Sequence, residues 1–341
     1  IHLIDLVKNK IDYKSIEKID ISVIIVNYKS WKHLQGCLDN ITKINQDQYK
    51  FEVIVIDNHS NDNKFDEFYK NYPQFKFFLN SGNNGFSNGC NYGVSKAVGE
   101  YFLFLNPDTI VTKDAILKMI QLARENLQYG VISCTKINNV GKPEKEIRFF
   151  PKSYTLFGTS RAIYNLINKE KIREEFNSTK EIVFPDWVSG SIIFTSKEWF
   201  EKIGGWNEDY WLYLEDVDFC KRISNADGEV ALLRTTKIIH NHGGASRINV
   251  KTSALTKAEV IISKHTYIHN HFTGITKFVS QFLLVFFGVI TKLILAIIGC
   301  IFFFIPKLYM YVLLFLNLIR YYINALFTKT WISKRSPNYN K

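Results

Sequence analysis

Three carboxylates fall within four consecutive positions at Glu215, Asp216 and Asp218. Like charges so close repel, and they call either for a helix N-terminal dipole or for a chemical use. That use would be a general base taking a proton from an attacking hydroxyl, with Asp216 as first candidate and Glu215 as second. A solvated helix start accounts for them equally. Asn106-Pro107-Asp108 follows an apolar run directly, and one carboxylate there suits a hard divalent cation carrying a diphosphate, or simply a turn. Asp57 and Asn58 end another apolar run. A carboxylate so placed accepts from a base N–H or a ribose hydroxyl, or closes an Asx-turn.

Residues 83–89 read NNGFSNG, a Gly/Asn-rich turn entering a helix, which lets backbone N–H groups approach a phosphate. The run is neither a P-loop, since GK[ST] is missing, nor G-x-G-x-x-G. Trp187, Ser189 and Gly190 in one block, and Gly204, Gly205 and Trp206 in another, offer aromatic platforms and close backbone approach of the kind sugars need. His240 and His242 flank Asn241, and either imidazole suits a metal, a diphosphate or a structural hydrogen bond.

Those residues require elements to hold them. Residues 21–26 (ISVIIV), 51–56 (FEVIVI), 75–79 (FKFFL) and 101–105 (YFLFL) read as strands, with helices over about 31–43, 64–71 and 86–98 between them. Continuous apolar strands alternating with helices predict a mostly parallel sheet covered on both faces, with ligands beyond the strands' carboxyl ends. Asn27-Tyr28, Asp57-Asn58, residues 80–84 and residues 106–108 lie at those ends. A helix near 113–127, strands near 130–134, 183–188 and 191–195, helices near 197–203 and from 215, and strands near 229–233 and 237–240 follow. Residues 138–182 read as a looser segment.

The chain has 341 residues, 46% hydrophobic and 22% charged, which excludes a disordered or collagen-like chain. Five cysteines without metal-like spacing fit a reducing compartment, and residues 1–20 show no secretory pattern. Of the net charge of +11, nine positive charges lie after Glu259, where no Asp or Glu remains. They are interleaved with the apolar stretch 278–327, so the surplus points to an anionic membrane surface rather than nucleic acid. In-plane or re-entrant helices with snorkelling Lys and Arg, a membrane hairpin, and a buried helical layer all fit. Pro306 is expected to break the second stretch.

Taken in order, the blocks ISVIIVNY (21–28), VIVIDN (53–58), NNGF (83–86), LNPDT (105–109), WVSG (187–190), GGW (204–206), YLEDVD (213–218) and HGGAS (242–246) resemble those of family 2 glycosyltransferases, most of all a bacterial rhamnosyltransferase branch. The resemblance covers about residues 20–250. It implies a GT-A fold (Rossmann-like, with helices on both faces) that binds a nucleoside-diphosphate sugar and Mg²⁺ or Mn²⁺ and inverts the anomeric centre. Asn27, Tyr28, Asp57, Asn58, Asn84, Gly85, Asn88, Asn106 and Asp108 would then lie at the nucleotide sugar. Asp108 and His242 would lie at the metal, with Asn106 in place of the first Asp of the family's Asp-x-Asp. Trp187, Ser189, Gly190, Gly205 and Trp206 would face the acceptor.

The organisation implied is an N-terminal extension (1–19), a catalytic domain (20–270) and a membrane-associating tail (271–341). The acceptor would be a glycan or a polyprenyl-diphosphate-linked saccharide at the cytoplasmic side of the plasma membrane. A processive polysaccharide synthase would want a Gln-x-x-Arg-Trp block, which is missing. A nucleotidyltransferase would want a basic Gly-rich loop after the first strand. A catalytically silent nucleotide-sugar-binding scaffold is the remaining alternative.

Overall fold

The computed structural model describes residues 18–144, 148–175, 179–241 and 249–339. The first half alternates β1 (Ile21–Asn27), α1 (Trp31–Thr42), β2 (Phe51–Asp57), α2 (Phe65–Asn71), β3 (Lys76–Leu79), α3 (Phe86–Val94) and β4 (Tyr101–Leu105). β3, β2, β1 and β4 lie side by side and parallel, with Ile21 opposite both Phe51 and Tyr101. Every residue of β1 is buried, as the apolar run requires when both faces are covered. Side chains alternate between faces. Val23, Ile25, Val53 and Leu103 pack with Leu34 and Leu38 of α1, while Ile24, Phe102 and Phe104 pack with Cys90 of α3.

The second half adds β5 (Thr109–Ile110), α4 (Lys113–Glu125), β6 (Tyr129–Ile137), α5 (Gly158–Ile167), α6 (Lys169–Glu175), β7 (Ile182–Val183), β8 (Ile192–Ser196), α7 (Lys197–Lys202), α8 (Glu215–Asn225) and β9 (Glu229–His240). The sheet runs β3-β2-β1-β4-β8-β6-β9-β5, with β7 also on β9. β8 is antiparallel to β4 and β6, and β5 and β7 are antiparallel to β9, so the parallel half continues as a mixed sheet. The two strands expected at 229–240 are one, with a register shift against β6 between Cys134 and Thr135. The looser segment holds α5 and α6, and α5 buries none of its residues.

Three helices follow: α9 (Val250–His271), α10 (Gly274–Ile301) and α11 (Pro306–Thr328). Pro306 starts α11 rather than breaking it, since the first helical position needs no N–H. At 1.5 Å per residue α10 is about 42 Å long and α11 about 34 Å, against a hydrocarbon core of about 30 Å. Only 17% and 22% of their apolar stretches are buried, which sets aside the buried helical layer. Phe278, Phe282, Phe303 and Phe304 are exposed, and the two helices fit a membrane-association segment.

Residues 331–339 then fold back as a strap over the α/β body. Thr266 and Tyr321 hydroxyls donate to the Trp331 carbonyl, at 3.0 and 2.9 Å. Ser336 Oγ donates to the Glu208 carbonyl at 2.7 Å, and Asn338 Nδ2 to Asp209 Oδ1 at 2.9 Å.

Candidate active site

β1 and β2 end side by side at Asn27 and Asp57, both buried. Asn27 Nδ2 donates to Asp57 Oδ1 at 2.8 Å, and Ser60 donates to both Asp57 oxygens, from Oγ at 2.6 Å and from N–H at 2.8 Å. Lys29 N–H donates in turn to Ser60 Oγ at 2.8 Å. Asp57 therefore spends three accepted bonds on joining two strand-end turns, which is the Asx-type use of such a residue. Tyr28 beside it is half-buried.

Beyond them runs a chain of amides. Asn80 Nδ2 donates at 2.9 Å to both Asn58 Oδ1 and Asn88 Oδ1. Asn58 Nδ2 continues to the Gly85 carbonyl at 2.9 Å, and Asn88 Nδ2 to Glu208 Oε2 at 3.0 Å. Asn91 Nδ2 reaches Glu208 Oε1 at 2.8 Å. Asn84 lies outside the chain and donates to Ser81 Oγ at 3.2 Å. Gly85 (φ +94°) sits where α3 begins, and a Cβ there would lie 2.3 Å from the Trp211 carbonyl oxygen. Trp211 clamps the turn from both sides: its carbonyl accepts from Phe86 N–H at 3.1 Å, and its indole N–H donates to the Asn83 carbonyl at 2.8 Å. Glu208 was not among the residues singled out from the sequence, because an acid in a polar loop carries no pattern.

Asn106 N–H donates to the Ser191 carbonyl at 3.1 Å, turning the chain so that Asp108 faces the end of β9. Asp108 Oδ1 and Asn241 Oδ1 are both buried without a hydrogen-bond partner, and Asn241 N–H donates to the Asp108 carbonyl at 2.8 Å. His240 Nε2 lies 3.4 Å from Asp108 Oδ1, and its Nδ1 lies 2.6 Å from Glu144 Oε1. Burial pulls the His240 pKa down, but the two carboxylates outweigh it and raise the value to about 9. Glu144 Oε2 is 3.5 Å from Lys136 Nζ, which donates to Ser191 Oγ at 3.1 Å. Lys136 is a second residue the sequence reading passed over, although a lysine in an apolar strand is a usable signal. Among the described residues no cluster of three His, Cys, Asp or Glu is placed to hold a metal. Asn241 Oδ1, without a hydrogen bond, and Asp108 Oδ1, which faces His240 Nε2 at 3.4 Å, are nonetheless hard donors on adjoining segments of the kind a divalent cation takes, so the residues fit such an ion. His242, expected at the metal, lies outside the described residues.

Tyr213 (φ +72°) and Leu214 (φ +62°) are consecutive left-handed residues, and this costly backbone launches α8 with its carboxylates aimed in three directions. Asp218 is fully buried and paired with Arg222 and His271, both at 2.7 Å. Burial alone would raise its pKa, but the His271 hydrogen bond and the Arg222 guanidinium hold it below the usual carboxylate range. Glu215 is buried with Oε2 unpartnered, and burial, with help from Asp216, pushes its pKa up to about 8. Asp216 Oδ2 accepts from Gly190 N–H at 3.0 Å and Oδ1 from Val217 N–H at 2.8 Å. Burial raises the Asp216 pKa against the pull of those N–H groups, Arg148 and Lys136.

Gly190 therefore joins the 187–190 block to Asp216. Ser189 Oγ is 3.2 Å from Ser191 Oγ, and the half-buried Trp187 carries the Arg148 guanidinium 4.6 Å from its ring centre. Trp206, expected at the acceptor, is instead only 2% exposed, wedged among Phe86, Phe104 and Phe219. Gly205 (φ +73°) serves that core too, since a Cβ there would lie 2.9 Å from the Phe200 ring.

Comparison with known proteins identifies the family. The profile of glycosyl transferase family 2 matches residues 22–204, and one described as the N-terminal domain of galactosyltransferase matches residues 177–243. The chain is 28% identical over 226 residues to the low-salt glycan biosynthesis hexosyltransferase Agl10 of Haloferax volcanii, covering 65% of this chain and 67% of that one. It is 26% identical over 227 residues to the rhamnosyltransferase WbbL of Escherichia coli strain K12, covering 64% and 82%. Among solved structures, GalNAc-T7 with UDP, GalNAc and Mn²⁺ superposes with a TM-score of 0.51 at 15% identity, over 72% of this chain and about half (48%) of that one. With a matching profile over more than half its length and the mixed sheet described above, the chain belongs to glycosyl transferase family 2, transferases acting on nucleotide sugars in glycan biosynthesis, and has a GT-A-like fold.

Proposed function

We propose that the protein is an inverting glycosyltransferase that passes a sugar, with L-rhamnose from dTDP-L-rhamnose as the first assignment, to a hydroxyl of a glycan or lipid-linked saccharide. The setting would be cell-surface polysaccharide synthesis of O-antigen or capsule type, on the cytoplasmic face of the plasma membrane. The observation that carries the reading is Asp216, a half-buried carboxylate held by two backbone N–H groups, together with the Asp108 and Asn241 side-chain oxygens that no hydrogen bond occupies. The similarity to WbbL supports rhamnose, and the similarity to a hexosyltransferase keeps other hexoses in the test.

In this reading the acceptor oxygen attacks the anomeric carbon as the bond to the diphosphate oxygen breaks on the opposite face. The acceptor's proton passes to Asp216, whose fixed orientation and raised pKa suit a base. Burial pushes Glu215 toward its protonated form, while the Gly190 and Val217 N–H groups favour the ionised form at Asp216. Asp108 and Asn241, with Asn106 beside them, would hold Mg²⁺ or Mn²⁺, which when bound offsets charge on the leaving diphosphate. The turns built by Asn27 and Asp57 and the 83–88 loop would cradle the nucleotide through their backbone. The catalytic domain then spans residues 20–270. The tail 271–341 would bring it to a membrane-held acceptor while its strap reaches back to Glu208.

The test is a panel of nucleoside-diphosphate sugars with Mg²⁺ or Mn²⁺, read by thermal shift and nucleotide release. One donor giving protection and release, lost in Asp108→Ala, supports the reading and names the sugar. Donor binding without turnover on any acceptor favours the silent scaffold, and no response from folded protein to any donor refutes nucleotide-sugar use.

A further inference from the structure

A cavity of about 440 Å³ lies beside the site, between the segment 148–155 and the two short helices α5 and α6. Arg148, Lys152, Arg161 and Lys169 line it, together with Trp187 and Tyr164, and among the described residues none that lines it is acidic. Four cations around one hollow make its potential positive and suit it to an anion. A fifth cation stands behind: Lys264 Nζ donates to the Leu156 carbonyl at 3.0 Å, and burial together with Arg161 lowers its pKa. The nearby Asp186 carboxylate is already engaged, accepting from Phe150 N–H at 2.7 Å.

α5 explains where such an anion would come from. Arg161, Tyr164 and Asn165 share the helix face that lines the cavity. Ile163, Leu166 and Ile167 share the opposite face and are 59%, 73% and 76% exposed. A short helix with an arginine among polar residues on one side and bare aliphatic residues on the other is what a membrane interface selects. Its entry residue Phe157 packs edge-on against Phe287 of α10, with ring centres 5.5 Å apart, so α5 starts on the membrane-associating helices. At the cavity's other end Trp187 leads, three residues on, to the Gly190 N–H that holds Asp216.

We propose that this cavity holds the diphosphate of a prenyl-diphosphate-linked saccharide acceptor. α5 lies at the membrane surface, the prenyl chain leaves along its aliphatic face and that of α10, and the sugar extends past Trp187 toward Asp216. The assignment rests on the acceptor reading above and adds to it a site and a head-group chemistry. It also gives a role to the segment between β6 and β7, which the donor chemistry leaves unused.

The test uses the full chain in detergent and geranylgeranyl diphosphate as probe, with geranylgeraniol, inorganic pyrophosphate and phosphatidylglycerol vesicles as comparison arms. The prenyl diphosphate is expected to bind at least about tenfold more tightly than the alcohol or pyrophosphate, and Lys152→Ala with Arg161→Glu to weaken it by about tenfold or more, as loss of charge-assisted bonds implies. Phosphatidylglycerol competing as well as the prenyl diphosphate would replace the proposal with a general anionic-membrane patch. Equal binding by wild type and a folded variant would overturn it. Should the variant not fold, a benzophenone-bearing prenyl diphosphate on the wild-type protein decides: labelling within residues 148–172 supports the site, and labelling elsewhere refutes it. Nucleotide release from the sugar donor, measured on the same preparation, separates the two readings. Release without prenyl-diphosphate binding ends the cavity assignment alone, whereas absence of release ends the transferase reading.

Discussion

Gly85→Ala isolates how tightly the donor loop is built. Gly85 has φ +94° and ψ 173°, a region of backbone space open essentially to glycine, and a side chain there costs about 1–3 kcal/mol. The new Cβ would also lie 2.3, 2.8 and 2.9 Å from the carbonyl oxygen, Cα and carbonyl carbon of Trp211. These are backbone atoms that cannot rotate away, and relieving such a clash costs about 1–3 kcal/mol more. A total near 4 kcal/mol corresponds to a drop in Tm of roughly 8–16 °C at about 2–4 °C per kcal/mol for a body of this size. Gly141→Ala is the control, because its φ is +77° but nothing lies within 4 Å of the added carbon, so it should lose only about 2–4 °C. Melting in one detergent, followed by tryptophan fluorescence, compares the two. Donor affinity should fall with Gly85→Ala alone, since moving Trp211 loosens its bonds to Phe86 and Asn83. A Gly85→Ala protein melting within the range of the Gly141→Ala control would refute the reasoning.

Asp216→Asn should lower kcat by about 10²- to 10⁴-fold with donor binding retained. Glu215→Gln, which mimics the protonated acid, should cost less than about tenfold, and the reverse order in steady-state kinetics would exchange their roles. Burial lowers the His265 pKa from 6.5 to about 4, so between those values the unfolded chain binds the proton and the folded chain does not. Stability should be full above pH 6.5 and fall as the pH drops toward 4, by on the order of 3 kcal/mol, and the slope of Tm against pH should flatten in His265→Gln. Removing residues 330–341 deletes the Ser336–Glu208 and Asn338–Asp209 bonds while keeping α10 and α11. Membrane recovery should persist and donor affinity fall, whereas removal of 271–341 should abolish recovery and activity on lipid-linked acceptor together. A 330–341 deletion with wild-type donor affinity would show that the strap carries no load.

The parallel half of the fold was legible because its strands are short apolar runs, β-branched in β1 and β2 and rich in Phe in β3 and β4, and α1, like α4 after it, buries one stripe, at Leu34, Leu38 and Ile41, and at Ile116, Met119 and Ile120. α9 escaped because Thr256, Glu259, Ser263, His265 and Thr266 are all buried where it is wedged between the catalytic body and α10 and α11. A helix covered on several sides by polar contacts has no apolar period to find. α5 escaped for the opposite reason, since it buries nothing and its pattern answers to a surface outside the protein. At the site, residue type at the strand ends was readable, but which atoms remained unpartnered was not. Asp57 and Asp108 look alike as letters, yet one accepts three hydrogen bonds and the other faces only an imidazole at 3.4 Å through an oxygen that no hydrogen bond occupies. Trp206 was misplaced because a Gly-Gly-Trp sequence does not say whether the ring turns toward a crevice or into three aromatic neighbours.

The amide chain from Gly85 to Glu208 has a fixed sense. It ends at a carbonyl and at a carboxylate, both acceptors, so Asn58 and Asn88 must each point nitrogen outward and Asn80 must donate inward to both. Flipping any one amide sets oxygen against oxygen or nitrogen against nitrogen, so the network assembles in one orientation. Asn88 is followed by glycine, the neighbour that most favours spontaneous loss of ammonia from an asparagine side chain. Were Asn88 to age into an aspartate, its new carboxylate oxygen would stand where the nitrogen now meets Glu208 at 3.0 Å, and the clamp would turn from attraction to repulsion. The turn entering α3 thus contains a chemical clock, slowed only while α3 keeps the Asn88–Gly89 backbone helical and out of the geometry that the cyclisation requires.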